Sequence, residues 1–104
     1  MDRPAIFKAY DRTTQYMTFE LIQRKERTSV WMVVNNKSNA QLGIIYYYNH
    51  WRQYVLAEID SDVVFNWSCL DDIKKFLTSL NKGLVSLPQL SDVSEVLPKP
   101  KERA

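Results

Sequence analysis

The sequence predicts an α+β domain: an antiparallel sheet of four to five strands with one C-terminal amphipathic helix packed on one face. Three observations carry this. Short runs rich in β-branched and aromatic residues, SVWMVVNN and LGIIYYY among them, follow one another at strand length. Polar clusters separate them: RKERT, NNKSNAQ, NH and DSD. One later run, SCLDDIKKFLTSLNKG, changes to a helical period.

Residues 1–14 are mixed and polar and read as a flexible lead-in. QYMTFELIQ (15–23) places Met17, Phe19 and Leu21 on one side in strict alternation, which favours a strand. A helix through Tyr16, Phe19 and Ile22 is the second choice. SVWMVVNN (29–36) reads as a strand. LGIIYYY (42–48) and WRQYVLAEI (51–59) read as a hairpin closed by the two-residue turn NH, since Asn tolerates the positive φ such turns need. That register sets Tyr48 opposite Trp51, Tyr46 opposite Gln53, Ile44 opposite Val55 and Leu42 opposite Ala57. The other face then pairs Tyr47 with Arg52, Ile45 with Tyr54 and Gly43 with Leu56. VVFNW (63–67) reads as a short last strand.

In the helix, Leu70, Ile73, Phe76, Leu77 and Leu80 form one apolar stripe. Ser68 and Asp71 resemble a capping box, Asp71 and Asp72 suit the positive end of the helix dipole, and Gly83 is placed to stop it. The Leu42/Ile44/Val55 face of the hairpin is the expected seat for the stripe. The domain so defined spans 15–83. The tail, 84–104, has prolines at 88, 98 and 100 and no sustained period. It reads as extended, with its Leu84–Leu90 part packed on the body and its last residues disordered.

At 104 residues one domain with one modest core is expected. The net charge of +2 is unevenly placed. Over 28–82, Lys37, Arg52, Lys74, Lys75 and Lys82 balance Glu58, Asp60, Asp62, Asp71 and Asp72, so the body is neutral. A nucleic-acid binder usually carries a basic patch on its folded part. A single cysteine excludes an internal disulfide and points to a reducing compartment. No signal peptide and no membrane-length apolar run is visible, so a cytoplasmic protein is expected.

The chemistry-bearing residues are few. His50, the only histidine, sits in a predicted turn, and a general base needs a fixed partner. Cys69 opens the helix, where a thiolate would be favoured, but a small apolar filler is the simpler role. One His and one Cys cannot complete a four-ligand metal site. With two glycines the chain has no phosphate-binding loop. It therefore reads as a non-enzyme, with no cofactor and no small-molecule substrate.

The aromatics point instead to binding. A sheet covered by one helix should be polar on its other face. The Ile45/Tyr47/Tyr54/Leu56 face is not polar, and it carries Arg52. Arg and Tyr are enriched at binding hot spots. Trp31, Tyr47, Arg52 and Tyr54 are accordingly the candidate binding residues. Covering of that face by the 15–23 segment and the tail is the structural alternative.

Two resemblances follow from these residues. The shared pattern of the first has a VWMVVN strand (Val30–Asn35), LGIIY (Leu42–Tyr46), WRQYV (Trp51–Val55), VVF (Val63–Phe65) and CLDDIKKFLTSL (Cys69–Leu80). In these it resembles a family of small uncharacterised proteins common in bacteriophage genomes. That implies a phage origin and gives no residue a role. The second is architectural. Three antiparallel strands and a helix, with HWRQYVLAEID in the middle strand, resemble the DNA-binding domains of plant ethylene-response factors and the arm-binding domains of phage-type integrases. These read DNA with an open sheet face. Trp51 and Arg52 match, while the families' further basic sheet positions have no counterpart here.

The expected function is a small phage-type accessory protein that binds without catalysis. Its partner is a protein or a second copy of itself. The alternative is DNA or RNA binding through the same face, with Arg24, Lys25 and Arg27 on phosphates.

Overall fold

The structure, a computed structural model, describes residues 5–89. Residues 1–4 and 90–104, which include the ends of the expected lead-in and tail, lie outside the described residues. A 3₁₀ helix at Ala5–Tyr10 leads into five strands: β1 (Arg12–Thr13), β2 (Met17–Arg24), β3 (Ser29–Asn35), β4 (Gln41–Tyr48) and β5 (Gln53–Glu58). One helix, α1 (Trp67–Asn81), follows. The strands form a single meander in sequence order, antiparallel throughout. The α+β fold is the one the sequence predicts.

Alternation decides which sheet face is buried. Met17, Phe19 and Leu21 of β2 share a side with Trp31 and Val33 of β3, Ile45 of β4 and Tyr54 of β5. Against them α1 sets Ile73, Phe76 and Leu80, with Leu77 partly buried beside them. Phe76 stacks on Phe19 at 4.2 Å and meets Trp31 edge-on at 4.9 Å. Burying such side chains stabilises by ~1.5–3 kcal/mol each.

The helix therefore covers the Tyr47/Tyr54 face, opposite to the Leu42/Ile44/Val55 face that the hairpin alone suggested. Both hairpin faces are apolar, so the hairpin cannot choose between them. The choice falls to β2. Its polar residues Thr18 and Glu20 are in register with Val34 and Met32, and Met32 pairs with Ile44. A helix seated there would lack the Phe19 and Leu21 contacts. Separately, Gly43 permits the close approach of β4 and β5. A side chain on Gly43 would meet Leu56 Cδ1 at 2.8 Å and the Ala57 carbonyl oxygen at 2.9 Å.

Three local expectations are corrected. The hairpin turn holds four residues, Asn49–Arg52, and the register moves by two, to Tyr48↔Gln53 and Tyr46↔Val55. An even shift preserves the faces. VVFNW forms no strand. Asp62 N–H donates to Asp60 Oδ1 at 3.0 Å and Val63 N–H to the Asp60 carbonyl at 3.1 Å, and Asn66 already caps the helix, so too few residues remain between. Asn66, not Ser68, is that cap, accepting from Cys69 N–H at 2.9 Å. Asp71 thus falls in the second turn, where it pairs with Lys75 at 3.1 Å.

At the other end α1 stops in a Schellman arrangement. Leu84 N–H donates to the Ser79 carbonyl at 2.9 Å, Gly83 N–H to the Leu80 carbonyl at 3.1 Å, and Gly83 has φ +70°. A Cβ there would meet nothing within 4 Å, so the cost of a side chain is conformational alone. Gly83→Ala is expected to lower stability by about 1 kcal/mol in urea unfolding, with the m value unchanged.

Both flanks of the predicted domain join the fold. Phe7 is fully buried in the main core, so the described part of the lead-in is a packed element. Val85 and Leu87 lie against the same core, and Arg24 Nε donates to the Pro88 carbonyl at 3.0 Å.

Candidate functional site

Trp31 and Tyr54, two of the four candidate binding residues, belong to the core. Each brings a polar tip that the core must satisfy. Trp31 Nε1 donates to Ser29 Oγ at 2.8 Å. Ser29 N–H, also fully buried, donates to Tyr54 Oη at 3.1 Å. Tyr54 N–H donates to Asn81 Oδ1 at 2.8 Å. This chain of bonds ties β3 to β5 and β5 to the last turn of α1. It accounts for tryptophan and tyrosine inside the sheet without any ligand.

The same connection builds a cleft. Asn81 holds the end of α1 against the start of β5, beside the β2–β3 and β4–β5 turns. The space between them, about 730 Å³, is lined by Tyr47, Tyr54, Leu80, Val85 and Leu87 and rimmed by Arg27, Thr28, Asn49, Arg52, Gln53 and Asn81. Tyr47 is half-buried and meets Tyr54 edge-on at 5.4 Å. Three of the four candidate residues, Tyr47, Arg52 and Tyr54, thus share one concave site, and Trp31 lies apart from its lining. The cleft has an apolar floor and a polar rim with two guanidinium groups. Among the described residues neither Arg27 nor Arg52 has an ion-pair or hydrogen-bond partner for its side chain.

Arg52 is held there at a cost. Its φ is +55°, and its N–H closes the turn onto the Tyr48 carbonyl at 2.8 Å. Glycine or asparagine suits that conformation, whereas a long side chain costs ~1–2 kcal/mol in it. Arg52→Gly is expected to raise stability by about 1 kcal/mol in urea unfolding, because relief of that strain outweighs glycine's extra chain entropy. A destabilised variant would mean that the arginine side chain contributes to the fold.

Arg27 and Asn81 entered the sequence reading only in part: Arg27 as a phosphate contact in the alternative, Asn81 not at all. Chain geometry held the signal. A helix of 15 residues rises ~22 Å. Leaving β5 at Glu58 and returning by such a helix brings residue 81 back to the hairpin turn.

The sheet face turned away from α1 carries Met32, Val34, Ile44, Tyr46, Tyr48 and Val55, with Thr18 and Glu20 at its β2 side. His50 stacks on Tyr48 at 5.3 Å, and Trp51 meets the same ring edge-on at 5.2 Å. Among the described residues no three of His, Cys, Asp and Glu gather as metal ligands, and no helix is long and apolar enough to cross a membrane.

No family model, curated protein or solved structure matches the chain.

Proposed function

We propose that this protein is a non-catalytic binding module whose cleft takes an acidic, partly apolar segment of a protein partner. The observation that carries the reading is the pairing of two unpartnered guanidiniums with an apolar floor. Carboxylates satisfy guanidiniums through charge-assisted bonds, and a neighbouring apolar side chain would fill the space over Tyr47, Leu80 and Val85. A small phage-type accessory protein is the setting this reading proposes for such a module.

Nucleic acid is the second reading, because phosphates would also seek Arg27 and Arg52. Its basis is narrower than the sequence suggested. Arg24 directs its donors to the carbonyls of Pro88, Lys25 and Thr28, which holds the turn and the tail in place.

The test is a titration of the protein, at two salt concentrations, with a labelled peptide of aspartates and valines, single-stranded DNA, duplex DNA and RNA. The expected result is peptide binding that weakens about 10- to 100-fold in Arg52→Ala, the loss of one charged hydrogen bond. Tighter binding of any nucleic acid, with a steep salt dependence, would replace this reading with the second.

A further inference from the structure

The chain itself displays a segment of the chemistry the cleft calls for. Ile59, Val64 and Trp67 are exposed large apolar residues, at 46%, 87% and 79%. Asp60 and Asp62 lie among them. Asp60 accepts the Asp62 N–H, while the Asp62 carboxylate has no partner among the described residues. All three apolar residues lie on the β5–α1 connection or at the first residue of α1.

The cleft lies at the opposite end. β5 runs from the cleft rim at Gln53 to Glu58, and α1 runs back from Trp67 to Asn81. The acidic segment and the cleft are separated by a helix of ~22 Å, so one molecule cannot fill its own cleft with it. Leu84, between Gly83 and Val85 of the cleft lining, is also an exposed apolar residue, at 71%. Both ends thus carry apolar surface, and Arg27 and Arg52 on the cleft rim oppose Asp60 and Asp62 of the segment in charge.

We propose that the cleft of one molecule receives the Ile59–Trp67 segment of a second copy, with Asp62 on the Arg27/Arg52 rim and Val64 toward the floor. This rests on the reading of the cleft as a peptide site and names its occupant. The contact is heterologous: each molecule offers one cleft and one segment, so association continues head to tail into a ring or an open chain. Its charged component weakens with salt.

Sedimentation equilibrium of the full chain tests this. The wild type is expected to rise above its single-chain mass of 12.3 kDa as concentration increases. Arg27→Gln/Arg52→Gln loses the cleft, and Asp60→Asn/Asp62→Asn loses the segment. Each is expected to associate at least about tenfold more weakly, since each removes the opposite-charge pairs. Mixed in equal amounts, the two variants still offer one intact cleft and one intact segment, so they should form a two-chain complex and stop. This rescue also shows that both variants are folded. A wild type that keeps single-chain mass at every concentration, association that survives in both variants, or a mixture that stays single-chain would each overturn the proposal. The peptide titration separates the two claims. Retained peptide binding with no self-association overturns only the choice of occupant, and loss of peptide binding overturns the cleft reading beneath it.

Discussion

Phe76→Ala is expected to lower folding stability by about 3–5 kcal/mol. The ring is buried between Phe19, stacked at 4.2 Å with planes 8° apart, and Trp31, edge-on at 4.9 Å. Removing it opens a cavity where the helix meets β2 and β3. Domains of this size are stable by only ~5–15 kcal/mol, so the loss is a large share of the total. Urea unfolding followed by tryptophan fluorescence measures it. Leu70→Ala on the same helix is the control. Leu70 is half exposed, at 50%, so a change within about 0.5 kcal/mol is expected. Equal losses at 70 and 76 would mean that the helix seats its other side on the sheet.

Ser29→Ala is expected to cost about 1–3 kcal/mol, because the buried indole N–H of Trp31 would lose its acceptor. The hydroxyl is small and its removal leaves little void, so the penalty comes from the unpaired donor. Tyr54→Phe strands the next group along, the Ser29 N–H, at a similar cost. Neither change alters the two arginines. At temperatures where the variants are folded, peptide affinity should be unchanged in Ser29→Ala. A neutral effect on stability would indicate that Trp31 Nε1 finds another acceptor or water.

Much of the fold was legible, for definite reasons. Met17, Phe19 and Leu21 alternate cleanly, so a strand was the better reading of 15–23. Ile73, Phe76, Leu77 and Leu80 repeat at helical spacing, so α1 was plain. The covered face was not legible from the hairpin because Ile44 and Val55 are as apolar as Ile45 and Leu56. Only β2, with Phe19 and Leu21 on one side and Thr18 and Glu20 on the other, distinguishes the faces, and it lies far away in sequence. The turn was misjudged because Asn-His can close a two-residue loop, while Arg52 gives no sign that it adopts positive φ. The VVFNW strand failed because β-branched composition says nothing about the Asp60 turn and the Asn66 cap that bound it.

The candidate site was legible in part. Tyr47, Arg52 and Tyr54 line the cleft at the end of α1, on a face the helix partly covers and not on an open aromatic sheet face. Tyrosine and tryptophan suit a buried strand and a binding surface equally well, and Trp31 fell on the buried side. Arg27 could be placed only through its position in three dimensions.

The most direct test of the account is a residue-resolved amide chemical-shift titration of the full chain, at dilute protein, with the aspartate–valine peptide. The account predicts shifts concentrated at Arg27, Thr28, Asn49, Arg52, Asn81 and Gly83, around the rim of the cleft. Shifts concentrated instead at Ile44, Tyr46, Tyr48 and Val55 would contradict it and move the binding surface to the sheet face turned away from the helix.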